Sequence, residues 1–338
     1  MTRQPLRSPG RPTLDAVAAK AGVGRGTASR VLNGSPQVSP QAKAAVEAAI
    51  TELGYVPNRA ARTLVTQRTD SMALVVSESQ ERVFGEPFFA GVLRGINATL
   101  IETPLQLWLA MAASVQQRQR VEHHLTQQHV DGVLLLSLHD DDSLPTLLRA
   151  REMPFVLGGR PARLEPGDTF VDVDNEAGAR KAVEYLLASG ARRIVTVAGP
   201  QDMGVGRARL AGYRAAMPGP GLIEYGDFSE AGGLAAMRAL LRRDPNLEAV
   251  FAASDLMASG ALRALREAGL RVPQDVMLVG FEDAPVARQT EPPLTTVYQP
   301  VEEMGRRMAE LLIAMIGREP VTDSHVLLDT HLVRRASA

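Results

Sequence analysis

The 338-residue chain contains no cysteine, which excludes disulfides and thiol catalysis. No apolar run follows Met1, so neither a signal peptide nor a membrane span is expected. Lysine is scarce: Lys20, Lys43 and Lys181 are the only three among 37 basic residues. Codon usage in a GC-rich genome produces such a bias, so arginine abundance alone carries no functional signal. Metal-ligand spacing is missing as well. His123, His124 and His129 lie on a polar helical stretch without acidic or cysteine companions, which reads as a solvated face; no metal and no cofactor are expected. Asp140, Asp141 and Asp142 precede a helix, where capping accounts for them. The glycines of Gly199 to Gly206 follow a strand yet fit neither GxGxxG nor a P-loop. No Ser-His-acid set occurs at nucleophile-elbow spacing, and no enzyme is expected.

What is present is an asymmetry of charge. The formal net charge is -1, but residues 1–68 carry a balance of +7 and the remainder -8. A basic head on an acidic body points to a nucleic-acid partner for the head. Within it, residues 13–34 spell two short helices about a glycine turn. Thr13 is a good N-cap, and Leu14, Val17, Ala18 and Ala21 form an apolar stripe ended by Gly22. Ala28, Val31 and Leu32 can face that stripe, leaving Arg25, Gly26, Thr27, Ser29 and Arg30 outward, and Asn33-Gly34 stops the second helix. This is the pattern of a helix-turn-helix that lays its second helix in the DNA major groove. Ser39-Pro40 can start a third helix that carries Val46, Ala49, Ile50 and Leu53 and stops at Gly54.

The order of Ala-Gly-Val turn, Thr-Ala-Ser-Arg-Val-Leu-Asn-Gly, Gly-Tyr-Val-Pro-Asn and Asn-Arg-Ala-Ala-Arg-Thr-Leu resembles the lactose/galactose-repressor (LacI/GalR) family of bacterial transcription factors. The resemblance implies DNA-facing roles for Thr13, Arg25, Gly26, Thr27, Ser29, Arg30 and Asn33. It implies backbone-positioning roles for Tyr55 and Asn58. It also implies a hinge helix that forms on DNA, with Arg62 in it, Ala61 in the minor groove and Leu64 as the wedge that unstacks the central step. Three positions depart from the family pattern. Gly24 replaces the usual N-cap of the recognition helix, Gly26 is a poor helix former near its start, and Ala28 replaces a valine.

From Asp70 onward short apolar runs alternate with amphipathic stretches. The runs are Met72 to Val76, Leu105 to Ala110, Gly132 to Leu136, Phe155 to Leu157, Ile194 to Ala198, Val250 to Ala253 and Val276 to Gly280. Such βα alternation predicts parallel sheets covered by helices. The family resemblance implies a two-lobed α/β periplasmic-binding-protein-like (type I) domain behind the all-α head. The expected division is a disordered basic arm (1–12), helix-turn-helix domain (13–57), hinge (58–69) and effector-binding and dimerisation domain (70–338). The lobes are expected at about 70–161 with 293–320, and 162–292 with 321–338, with crossings near Gly159 to Leu164, Ala284 to Pro293 and Gly317 to Asp323.

Ligands of open α/β sheets lie beyond the carboxyl ends of the strands. The candidate effector residues are therefore Glu78, Phe88, Phe89, Arg160, Arg209, Phe228, Ser254, Asp255 and Glu282. Arg209 matches the family arginine that reaches ligand hydroxyls or carboxylates, and Phe228 its stacking aromatic. Gly159, Ser254 and Glu282 stand where sugar-responsive members have an acidic residue, Asn and Asp. Ser77 to Phe89 is similar to oligosaccharide-responsive regulators of the family, such as cellobiose and maltodextrin repressors. The expectation is a cytoplasmic, nucleoid-associated homodimeric repressor of carbohydrate-use genes. It binds a pseudopalindromic double-stranded operator and is released by a di- or oligosaccharide. The alternatives are a non-sugar effector such as a purine acting as co-repressor, and a sugar- or nucleotide-acting α/β enzyme.

Overall fold

The computed structural model describes residues 12–32, 35, 37–56, 68–127, 129–161 and 163–338. The chain divides into two compact units, Met1–Thr69 and Asp70–Ala338. In the first, α1 (Leu14–Ala21) is capped by the Thr13 hydroxyl, which accepts from the Ala16 amide at 3.2 Å, and ends on Gly22 at φ 65°. Glycine reaches that left-handed conformation without a Cβ penalty. Next come α2 (Arg25–Leu32) and α3 (Pro40–Leu53), the latter capped by Ser39 and ended on Gly54. All three helices share one small core of Val17, Ala18, Ala28, Val46 and Ala49. Gly24 offers no capping side chain, but its carbonyl accepts from the Thr27 and Ala28 amides, which closes the first turn of α2.

The second unit repeats one plan twice. Its first sheet contains β1 (Ser71–Val76), β2 (Gln106–Met111), β3 (Gly132–Leu136), β4 (Phe155–Gly158), β5 (Phe170–Val173) and β11 (His325–Leu328), in the order β11-β5-β4-β3-β1-β2. The second contains β6 (Ile194–Ala198), β7 (Ile223–Tyr225), β8 (Ala249–Ala252), β9 (Met277–Glu282), β10 (Thr295–Tyr298) and β12 (His331–Val333), in the order β12-β10-β9-β8-β6-β7. Neighbours run parallel throughout, except that β12 is antiparallel to β10. Central strands buried on both faces read as unbroken apolar runs, as β1 and β3 do.

Helices cover both faces of each sheet. The first lobe carries α4 (Gln80–Gly85), α5 (Pro87–Leu100), α6 (Val115–Thr126), α7 (Leu144–Ala150) and α13 (Val301–Gly317); the second carries α8 (Asn175–Ala188), α9 (Gly204–Ala216), α10 (Glu230–Arg243), α11 (Asp255–Glu267) and α12 (Pro285–Gln289). Where α5 crosses α13, a Cβ on Gly95 would collide with the Glu302 carbonyl and one on Gly305 with the Val92 carbonyl, so the two helices meet backbone to backbone.

The lobe boundaries differ from the expected ones. The chain passes between sheets after β5, after β10 and between β11 and β12, about ten residues later in each case than the expected crossings. Phe170–Val173 pairs with β4 through Leu157 and Gly158, and so belongs to the first lobe. Thr295–Tyr298 pairs with β9 and so belongs to the second. Both strands have four residues and follow loops rich in proline or glycine, so their apolar content is too brief to stand out from a linker.

Candidate functional site

In the head, Arg25, Gly26 and Arg30 are exposed on one side of α2, Thr27 and Ser29 are half-buried, and Ala28 is fully buried beneath them. The Arg25 guanidinium lies 3.5 Å from Asp15. Thr13 serves as the cap of α1 and is exposed. Tyr55 is half-buried against the head core, its amide donating to Ile50 O. Asn33, Asn58, Ala61, Arg62 and Leu64, with most of the expected arm and of the hinge, lie outside the described residues.

In the body, the carboxyl ends of the two sheets enclose a cavity of about 330 Å³, a volume suited to a small organic ligand. Its lining includes Phe88, Phe89, Arg160, Arg209, Phe228 and Glu282. Arg209, on α9, is 1% exposed, and every branch of its guanidinium is held. Nε donates to Asn175 Oδ1 (2.9 Å), Nη1 to Ala253 O (2.6 Å) and Glu282 Oε1 (3.2 Å), and Nη2 to Gln299 Oε1 (2.9 Å). The Phe281 ring lies 3.7 Å from Arg209 Cζ, a close cation–π contact. Asn175 in turn donates to Asp172 (3.0 Å), which also accepts from the Arg160 amide (2.9 Å). One polar chain therefore runs from the first lobe through the β5–α8 crossing to the floor of the second.

Burial pushes the Asp172 and Glu282 carboxyls up, and Arg209 pulls both back toward ionisation. Burial also pushes the Arg209 guanidinium down, against the pull of Glu282 and Asp172. Such a network is strong only when complete, because each member is the desolvation compensation of the next.

Backbone strain collects at the same place. Ser137, Phe228 and Glu282 line the cavity at φ 59°, 69° and 111°, in the left-handed half of the map that side chains other than glycine rarely adopt. Phe228 is seated by Gly199, where a Cβ would strike its ring.

Three expected residues stand elsewhere. Glu78 lies behind the cavity wall, accepting from Ser137 Oγ (2.8 Å) and paired with Arg82 (2.7 Å). Ser254 caps α11, its hydroxyl accepting from the Met257 amide (3.2 Å). Asp255 is wholly buried and occupied by the Ala284 amide (2.8 Å) and Thr296 Oγ1 (2.6 Å). It ties α11 to the second sheet, which uses up the acceptors a ligand would need.

The cavity wall and the contacts between the lobes also use residues beyond the expected effector set. Arg82 and Glu86, on and just after α4, pair at 2.6 Å, with Arg82 Cζ 6.0 Å from the Phe228 ring. His139 and Asp140 follow β3 in the first lobe; Asp202 and Arg207 belong to the second. His139 Nδ1 meets Asp202 Oδ2 at 2.7 Å, Arg207 meets both Asp140 carboxylate oxygens at 2.7 and 2.9 Å, and the Asp140 amide donates to Asp202 O (2.9 Å). Bonding to Glu78 and then Asp202 raises His139 to about 9, against its burial. The signal available in the sequence was the i, i+4 set of Glu78, Arg82 and Glu86, which a helical reading of 78–86 would have placed on one face. Among the described residues no group of three His, Cys, Asp or Glu could hold a metal, and no helix is long and apolar enough to cross a membrane.

Comparison with known proteins agrees with this architecture. Residues 13–58 match the model of bacterial regulatory proteins of the lacI family, and residues 183–338 a periplasmic binding protein-like domain. The chain is 54% identical over 334 residues to the HTH-type transcriptional regulator CelR of Thermobifida fusca, covering 97% of this chain and 98% of that one. It is 36% identical to the ribose operon repressor of Escherichia coli K12, over 96% of this chain and 99% of the relative. Among solved structures, a transcriptional regulator CelR–cellobiose complex matches at 51% identity with a TM-score of 0.78, over 97% and 100% of the two chains. A lac repressor dimer bound to operator and the anti-inducer ONPF matches at 28% with a TM-score of 0.84, over 96% and 98%. With the head, the two-lobed body and these full-length likenesses in place, the chain belongs to the lacI family and is a DNA-binding transcriptional regulator, not an enzyme.

Proposed function

We propose that this regulator is a homodimeric repressor of carbohydrate-use genes whose effector is a neutral disaccharide of the cellobiose class. The carrying observation is its 51% identity to the cellobiose complex over 97% of the chain. The chemistry of the cleft supports it. Arg82, Arg160 and Arg209 are offset there by Glu86, Asp172 and Glu282, beside the ring of Phe228. A charge-balanced, hydrogen-bond-rich floor beside an aromatic suits a polyol better than a phosphate or nucleotide, which would bring uncompensated negative charge.

In this reading residues 1–12 form a basic arm, 13–57 read the major groove through Arg25, Gly26, Thr27, Ser29, Arg30 and Asn33, and 58–69 form a hinge. Tyr55, Asn58 and Arg62 position that hinge on the backbone, Ala61 enters the minor groove and Leu64 wedges the central step of a pseudopalindromic operator. The ligand changes the lobe arrangement and thereby the spacing of the two hinges, which releases DNA. The test is thermal unfolding of the full-length protein with cellobiose, glucose, ribose, purines and sugar phosphates. It is followed by fluorescence anisotropy on an operator selected from random duplexes. Cellobiose at about 100 times its Kd should add roughly 2.7 kcal/mol to unfolding and lower operator affinity. A selective shift by a purine, or tighter operator binding with cellobiose, would refute the reading.

A further inference from the structure

Three side chains of the first-lobe wall rest on one buried carboxylate. Arg82 Nη1 (2.7 Å), Ser137 Oγ (2.8 Å) and His139 Nε2 (3.4 Å) all meet Oε1 of Glu78. The three lie in the lining of the cavity, whereas Glu78, two residues past β1 and 5% exposed, stands behind it. Two of the three reach on to the second lobe. His139 Nδ1 meets Asp202 at 2.7 Å, and Arg82 Cζ stands 6.0 Å from the Phe228 ring, with Asp227 attracting its charge. These arms leave from different elements, α4 and the β3–α7 loop, and Glu78 is the group they share. The other charges around them are Glu86, paired with Arg82 at 2.6 Å, and Asp140, paired with Arg207 beside His139 and Asp202. Asp142, on the His139 loop, is taken up by Ser77 Oγ at 2.5 Å. One carboxylate orients all three donors, so loss of its charge loosens them together.

We infer that Glu78 is the positioning residue of lobe closure: from behind the cavity wall it holds the Arg82 and His139 arms across the cleft. Ser137 makes the same carboxylate responsive to what the cavity contains. A ligand that draws Ser137 or Arg82 toward itself alters the hold on His139, and through it on Asp202, without contact to either. Hinge closure of the two lobes is the equilibrium that these bonds bias. The inference holds whichever class of ligand the cleft takes, so it does not rest on the saccharide reading. Bonding to Glu78 comes first among the causes that raise His139 to about 9, against its burial, with Asp202 next. The His139 arm is therefore charged at neutral pH and is discharged as pH climbs through 9.

The test is the inter-lobe distance in the ligand-free, full-length protein, read by double electron–electron resonance between nitroxides. The labels sit on Gln119→Cys in α6 and Ala215→Cys in α9, exposed positions of a chain that has no cysteine of its own. At pH 7, Glu78→Gln should lower the ratio of closed to open molecules by about tenfold or more, because bonds to a charged group weaken on both arms. Wild type should open as pH climbs through 9, and Glu78→Gln should bring that transition down by about one pH unit or more. Asp202→Asn, at an exposed position of the second lobe, cuts the His139 arm alone and should flatten the pH dependence. Glu78→Asp keeps the charge but draws it back by one methylene, and makes the same comparison with wild type should Glu78→Gln lose its cooperative melting. Distance distributions that match wild type in the Glu78 variants would overturn the inference. So would opening in Glu78→Gln with the wild-type pH profile, the mark of a merely structural role, or an unchanged pH profile in Asp202→Asn.

Discussion

Single residues decide different things in the two units. Gly26 sits in the first turn of the recognition helix with ordinary helical backbone, and a Cβ there would meet nothing within 4 Å. Gly26→Ala is therefore expected to stabilise the head by about 0.5–1 kcal/mol through reduced unfolded-state entropy; chemical denaturation of residues 1–69 followed by circular dichroism checks it. Arg209 is the opposite case. Arg209→Met removes the cation that compensates Glu282 and Asp172, at a cost of roughly 3–5 kcal/mol for a broken buried pair. It is expected to abolish the effector response while the head keeps its operator affinity, measured by anisotropy with and without cellobiose. Arg209 was legible in the sequence because it precedes Leu-Ala-Gly-Tyr. Of its four partners only Glu282 was, as a candidate effector residue; Asn175, Ala253 and Gln299 were not, because they lie up to 90 positions away and meet only when the second sheet is assembled.

At the scale of elements, long strands and well-capped helices were readable and short or unusual ones were not. Leu74 and Leu134 sit in runs that only a buried strand would carry, whereas β7 and β12 have three residues each and no run at all. Gly199 to Gly206 fits no nucleotide-loop spacing, and from Gly204 it is the start of α9. Gly204 lines the cavity, and the glycines of this stretch also serve close packing: a Cβ on Gly204 would strike the Arg160 carbonyl, and one on Gly206 the Pro200 carbonyl. The α5–α13 crossing is equally tight. Gly95→Ala should force the helices apart and destabilise the body by roughly 1–3 kcal/mol, a loss visible in its melting temperature.

For the whole molecule, His139–Asp202 and Asp140–Arg207 tie two lobes that the chain otherwise joins by three crossings. His139 faces Glu78 and Asp202, with Arg82 beside the first and Arg207 near the second. Its proton is held to about 9, above the ordinary imidazole value. The raised value means that its stabilisation is complete below about pH 6.5 and fades as pH climbs through 9. The melting-temperature gap between wild type and His139→Gln should therefore be widest at pH 6 and shrink toward pH 9.5; a gap that widens with pH would refute it. The crossings carry one more consequence, for the order in which the protein comes into being. The first sheet needs β11 and the first lobe needs α13. In the second sheet, Ser337 Oγ accepts from the Thr295 amide at 2.8 Å and donates to Leu278 O at 2.6 Å. The first lobe cannot close before residue 328 has been made, nor the second before residue 337, whereas the three helices of the head end at Leu53. On every nascent chain the helix-turn-helix is finished well before either lobe of the body.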